Sequence, residues 1–274
     1  MSGPDAGIPA RCNPTAKFGR RTTVSALSSP ANEEQAALSP DELTVYFSRD
    51  DGNGKYDIFE AKRASATGAF DSGAVVAGVN TADEDREPRV TADGLTMYAT
   101  TRAPPSGQFR VAFATRASKE GMFGALQPVP VINGTTNDSD PWISADGRVM
   151  YFSSDRGGNY ALYRSTQTGG VFSEPELVRG THLDTPYMEL TPALTDDELT
   201  LYFASSRPNL GSVDMFEASR ATVQDPFGEP INLTELNGPN ADLPSWISAD
   251  NCQLYITHFD PTLGLEIITA FRGP

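Results

Sequence analysis

Along most of this chain apolar and polar residues alternate at a two-residue period over short runs, and the runs recur in matched sets. Five have one form: SPDELTVYFS from Ser39, TADGLTMYAT from Thr91, SADGRVMYFS from Ser144, TDDELTLYFA from Thr195 and SADNCQLYIT from Ser248. Each opens on turn residues, where Asp bonds its own backbone and Gly or Asn accepts positive φ, and continues into an alternation centred on Tyr. The alternation predicts a strand at 43–48, 95–101, 149–154, 199–205 and 253–257. Before it stands a shorter extended piece at 36–39, 87–91, 141–144, 192–195 and 245–248. After it, Gly-rich hairpin turns lead to a third strand at 55–63, 108–116, 160–166, 213–220 and 265–272. A fourth strand opens at Phe70, Phe123, Phe172 and Phe227 and continues through stretches such as 126–132 and 229–236.

The copies lie roughly 50 residues apart, the spacing of stacked four-stranded blades rather than of helical solenoids. The ends complete the pattern. A fifth Phe opening, Phe18-Gly19, precedes TTVSAL at 22–27, while the chain stops after the third strand of the fifth unit. The N-terminal segment is therefore expected to lie beside 265–272 and to supply the missing outer strand. The fold class is all-β: a five-bladed β-propeller of four-stranded antiparallel blades, closed on itself and so without free sheet edges. Residues 17–274 form one domain, and residues 1–16, rich in Gly, Pro and Ala, form a disordered or extended tail with no basic-plus-apolar leader.

Composition narrows the setting. Of the 274 residues 38% are hydrophobic and 9% aromatic, enough for a sheet-rich core built on Tyr, Phe and branched residues. Gly 24 and Pro 21 suit frequent turns, and no run approaches the roughly 20 apolar residues of a membrane span. The net charge of −15 argues against a nucleic-acid partner, which needs clustered Lys and Arg. Cys12 precedes the repeats and Cys252 opens the last apolar run. Ring closure would place the two in one blade, so a disulfide is expected, with two free thiols as the alternative; a bridge favours an oxidising compartment.

The pattern Ser-x-Asp-Gly-x-x-x-Tyr-Phe-Ser-Ser-x-Arg, best seen from Ser144 to Arg156, resembles the WD40-like (PD40) repeat of the TolB-type propellers. The likeness covers about 250 residues and is specific for the repeat type. Those propellers usually carry six blades, against five here. The resemblance implies a binding or scaffold role and a periplasmic or extracellular location, but no shared activity, since relatives include scaffolds, peptidase-attached propellers and lyases.

The candidate chemistry is acidic. The connections between blades carry Glu33 and Glu34; Asp83, Glu84, Asp85 and Glu87; Asp138 and Asp140; Asp184 and Glu189; and Asp242, with Asn80, Asn133 and Asn237 opening three of them. Closure would gather these groups at the channel mouth, where like charges raise one another's pKa or attract a cation. The alternative is turn chemistry that the repeat copies five times. Trp142 and Trp246 hold matching places in two first strands, and with Tyr187 they complete an expected ligand patch of Asp85, Glu87, Asp138, Asp140, Trp142, Tyr187, Glu189, Asp242 and Trp246; blade-to-blade packing is the other account of the tryptophans. Arg49, Arg102, Arg156 and Arg207 follow the second strand and are expected to pair with Asp57, Asp214 or Glu266 at the start of the third.

Other chemistries are not supported. Asp51-Gly52-Asn53-Gly54 looks like a calcium loop, but Lys62 stands where an EF-hand needs Glu. With two histidines in different blades, no Cys-x-x-Cys, no Gly-x-Ser-x-Gly and no P-loop, neither zinc, a Ser-His-Asp hydrolase nor a nucleotidase is indicated. No cofactor or metal is expected. The reading is a monomeric, non-catalytic propeller that docks a protein, peptide or small ligand, carbohydrate included, on its acidic mouth, with no nucleic acid and no membrane insertion. The rival is a glycosidase using two of Asp85, Asp138, Asp140, Glu189 and Asp242 in the central pocket.

Overall fold

The computed structural model describes residues 11–103 and 107–273. Five antiparallel sheets follow one another round a closed wheel. Blade one is Glu33–Leu38, Thr44–Asp50, Tyr56–Lys62 and Ala74–Val75; blade two is Asp85–Val90, Thr96–Ala103, Gln108–Thr115 and Gln127–Pro128. Blade three is Asp138–Ile143, Val149–Ser154, Ala161–Thr168 and Glu176–Leu177, with Val171–Phe172 folded back on its third strand. Blade four is Glu189–Leu194, Thr200–Ser205, Asp214–Ser219 and Ile231–Asn232. Blade five is Asp242–Ile247, Gln253–Asp260 and Gly264–Phe271, completed from the start of the chain by Thr22–Thr23.

Closure follows the expected register. Thr22 and Thr23 face Thr269 and Ile268, and Phe18 bridges to Arg272. Of the expected tail, residues 1–10 lie outside the described residues. From Arg11 onward the segment is fastened to the wheel: Arg11 pairs with Glu42 of blade one and Asp250 of blade five, and Cys12 is bonded to Cys252 across a separation of 240 residues.

The core is divided among five seams. Each apolar cluster joins two neighbouring blades, and each holds one central Tyr of the repeat: Tyr46, Tyr98, Tyr151, Tyr202 or Tyr255, all buried. The second strand is paired on both sides, so its Tyr leaves the face of the blade and its ring fills the space against the neighbouring blade.

Two expectations need correction. The fourth strands are two residues long, not the long stretches read from sequence. Asn side chains extend the pairing instead: the amides of Asn80, Asn133 and Asn237 bond both N–H and C=O of Ile58, Val111 and Met215, as a further strand residue would. The first strands also begin two to three residues earlier than read, so Asp85, Asp138, Glu189 and Asp242 open strands rather than occupy connections. A bulge between the second and fifth positions of each hides this, narrowed in blade five to Ser245. It breaks the alternation, and the acid and Pro around it are poor strand formers.

Candidate functional site

The inner strands line the hub, and position by position they divide into two kinds of acid. The first position is acidic in all five: Glu33, Asp85, Asp138, Glu189 and Asp242, each at most 1% exposed. Each carboxylate accepts from the residue four places earlier: Ser29, Thr81, Gly134, Thr185 or Gly238. The bond fastens the incoming connection to the blade. Arginine neutralises four of them: Arg49 to Glu33 at 2.8 Å, Arg156 to Asp138 at 2.6 Å, Arg207 to Glu189 at 2.9 Å and Arg21 to Asp242 at 2.8 Å. Arg21 comes from the N-terminal segment, because blade five has His258 where an arginine is wanted; His258 joins the same carboxylate at 2.8 Å. Asp85 has no arginine, since Arg102 turns to Glu84, and burial pushes its carboxyl up.

The arginines therefore pair with the inner strand, not with the third strand as expected. Asp57 meets Lys55, and Asp214 accepts from the N–H groups of Leu210 and Gly211. In the calcium-like loop, Asp50 and Asp51 are turned onto their own backbone, accepting from Gly52, Gly54, Asn53 and Lys55.

The second and third positions differ from blade to blade. The second is Glu34, Arg86, Ser139, Leu190 and Leu243; the third is Gln35, Glu87, Asp140, Thr191 and Pro244. The first four third-position residues have positive φ, between 50° and 59°. Their N–H groups point across to a hydroxyl of the preceding blade: Thr257, Ser48, Thr100 and Ser153 receive them at 2.8 to 3.2 Å. At the fifth seam the matching residues are Ala204 and Pro244, so donor and acceptor are lost together.

In blades one to three the polar groups converge. Arg86 contacts Glu84 at 2.8 Å, Glu87 at 3.3 Å and Glu34 on the adjoining blade, and it stacks over Tyr56 at 4.7 Å. One guanidinium is shared by three carboxylates, and burial lifts Glu34 to about 7 despite Arg86 beside it. Glu87 accepts from the Thr100 hydroxyl and from the Asp140 N–H. Asp140, desolvated and next to Glu87, is pushed up to about 8. Facing this half of the hub, blades four and five offer the half-exposed Leu190 and Leu243.

Trp142 and Trp246 lie elsewhere. They stand four residues further along their strands, about 13 Å at the usual strand rise, toward the turn side of the wheel. Each packs edge-on against its own blade's Tyr, with Tyr151 and Tyr255 at 5.7 Å. With Ala37, Arg89, Asp196 and neighbours they surround a cavity of about 240 Å³. Arg89, at the place in blade two that the tryptophans hold in theirs, crosses the hub to the Ser245 carbonyl of blade five, and burial lowers it to about 10. Tyr187 is exposed in the connection ahead of blade four, where its N–H meets Thr185. The expected patch is thus four separate groups: buried first-position acids, a mouth cluster around Glu87 and Asp140, tryptophans beyond Arg89, and Tyr187 alone in its connection.

Sequence reasoning placed Glu34 among the acids of the mouth but missed Arg86 beside it. The first-position acid precedes the central Tyr by the same interval in every unit, so carrying the repeat alignment back to the acids would have shown that the next position varies in charge from blade to blade.

No protein-family model matches the chain, and no curated protein matches it. Solved structures share the fold. A GH43_1 enzyme from Xanthomonas citri complexed with xylotriose aligns with a TM-score of 0.64 at 16% identity, over 92% of this chain and 89% of that one. A thermostable family-43 glycoside hydrolase aligns at 0.59 and 15% identity, over 91% of each chain. TolB from Acinetobacter baumannii aligns at 0.54 and 14% identity over 90% of this chain, which spans 57% of the TolB chain. These likenesses show the fold alone, a propeller shared with TolB and with glycoside hydrolases.

Proposed function

We propose that the protein is a non-catalytic binding propeller whose hub mouth takes a ligand carrying a cationic group beside an apolar one, such as a basic peptide segment. The unevenness of the mouth supports this reading. The four carboxylates Glu34, Glu84, Glu87 and Asp140 outnumber the two guanidiniums that pair among them, Arg86 and Arg102, and they face leucines rather than more acids. A repeat copied without further constraint makes equivalent positions alike; here one position runs Glu, Arg, Ser, Leu, Leu. An incoming cation would share the excess negative charge, and association would weaken as salt rises. Calorimetry against lysine- and leucine-containing peptides at low and high salt tests it. Salt-sensitive binding weakened about tenfold by Asp140→Asn with Glu87→Gln supports the reading; no peptide binding at any ionic strength removes it.

One observation favours a second reading. Asp140, its carboxyl pushed up to about 8, sits beside Glu87, which accepts from the Asp140 N–H, so a raised carboxyl and a second carboxyl stand together. With the propeller shared with glycoside hydrolases, this is the arrangement from which glycosidic cleavage would be run. A hydrolysis screen on xylo-oligosaccharides and other glycans, wild type beside Asp140→Asn, decides it: no turnover on any glycan retires the enzyme.

A further inference from the structure

Four of the five seams carry an arginine laid over a Phe. Arg63, Arg116, Arg220 and Arg272 follow their third strands and lie over the Phe that opens the fourth: Phe70 at 4.4 Å, Phe123 at 4.3 Å, Phe227 at 4.3 Å and Phe18 at 4.0 Å. The Nε of each donates to a turn carbonyl of its own blade, that of Glu42, Gly94, Glu198 or Asn251, at 2.6 to 3.1 Å. At three of these seams the guanidinium also reaches the hydroxyl of the preceding blade's Tyr: Tyr46 at 3.5 Å, Tyr151 at 3.0 Å and Tyr202 at 2.6 Å.

The seam between blades two and three keeps the receptor and lacks the arginine. Phe172 meets Tyr98 edge-on at 6.2 Å and 82°, as Phe18 meets Tyr202 at 6.1 Å and 71°. Gly147, at the turn position whose carbonyl receives the arginine elsewhere, has the same left-handed backbone, φ 72°. Gln167 takes the place of the arginine. It stands five positions before its Phe, where Arg63, Arg116 and Arg220 stand seven before theirs. The shortened link turns through Gly169 and Gly170, both at positive φ, instead of lying over the seam.

Two adjoining pockets lie on this seam, and one of about 510 Å³ also lies beside Arg116 on the seam between blades one and two. A pocket of about 520 Å³ is lined by Tyr98, Phe113, Gln167, Gly147, Asp93 and Asp146 among others. A second of about 190 Å³ shares Tyr98, Phe113 and Gln167 and adds Phe172. The charged residues lining the larger pocket are both acids. Each is held below the usual aspartate range, Asp93 by the Thr91 hydroxyl and Asp146 by the Ser144 hydroxyl, so both are ionised at neutral pH. Arg148 lies 3.8 Å from Asp146 on the exposed side.

We propose that this seam binds the side chain of an arginine presented by a partner peptide. The guanidinium would take the place that the chain's own arginines fill at the other seams, between Phe172 and Phe113, donating to the Tyr98 hydroxyl and the Gly147 carbonyl with Asp93 and Asp146 supplying charge. A lysine ammonium, compact and without a planar face, fits this stack less well. The site lies on the turn side of the wheel, apart from the mouth, and stands whether or not the mouth binds anything.

The test is a two-dimensional NMR titration with acetyl-Gly-Arg-Gly-amide and its citrulline counterpart. Saturable shifts at the Gln167 side chain and at residues 168–172 with the arginine peptide, at least tenfold weaker with citrulline, support the site. Gln167→Arg should fill the pocket from within and abolish binding while the fold is kept. Tyr98→Phe, which keeps the ring, should weaken binding several-fold and serves if Gln167→Arg does not fold. Asp140→Asn, at the mouth, should change nothing here. Equal response to both peptides, or undiminished binding in Tyr98→Phe and folded Gln167→Arg, overturns the proposal.

Discussion

At the first position of the inner strands every blade has an acid, and each holds down its own connection; at the second and third positions the blades diverge, and one arginine serves three carboxylates. Both groups are buried acids on the same strands, a few ångströms apart. Sameness in the first marks a part the fold requires, repeated because every blade has the same joint. Difference in the second, with positive φ retained from blade one to blade four, marks a place where the joint is kept and its side chain is free to vary.

The largest expected effect comes from removing the shared cation. Arg86→Met leaves Glu34 and Glu87 buried without a paired cation and Glu84 with Arg102 alone, and urea unfolding at pH 7 should show a loss of about 4 kcal/mol. Acid should return much of it: Glu34, already lifted to about 7, loses its neighbouring cation and takes up a proton more readily when folded than when unfolded, so stability rises as pH falls from 8 to 5. At the first position, Asp138→Asn should cost about 2 kcal/mol, because Arg156 loses its charged partner, and the loss should vary little between pH 6 and 8. Equal pH dependence in the two variants would collapse the distinction.

A third measurement concerns Asp140 alone. The folded protein keeps its proton up to about pH 8, whereas the unfolded chain releases it near the ordinary value of 3.8. Its contribution to folding is therefore full below that value and is lost as pH climbs to about 8. Melting temperature followed by circular dichroism from pH 5 to 8.5 should fall with rising pH in the wild type and fall less in Asp140→Asn; parallel curves would contradict the assignment. The smallest effect sharpens the joint itself. Ser48→Ala removes the acceptor for the Glu87 N–H and should cost about 1 kcal/mol in urea unfolding, whereas Ala204, facing Pro244, already lacks that bond.

The wheel, its closure and the outline of each blade were legible because the Tyr-centred run copies itself and Phe18 repeats the opening of the fourth strand. The hub was less legible, for physical reasons. Asp138-Ser139-Asp140-Pro141 has neither alternation nor strand-forming residues, so it resembles a connection until the bulge is known. The partner of Asp138 lies on the neighbouring strand and that of Asp242 lies near the start of the chain, distances along the sequence that no local pattern encodes. Trp142 and Trp246 shared a strand with the acids and were therefore grouped with them, yet four residues of extended chain carry them toward the other face.

Arg89 gives the hub its last property. A guanidinium laid from blade two to the Ser245 carbonyl of blade five spans the passage and lines the cavity beside the tryptophans. Arg89 also sits within the electrostatic reach of Glu87 and Asp140, so a change of charge among the carboxylates is felt at the wall of that cavity.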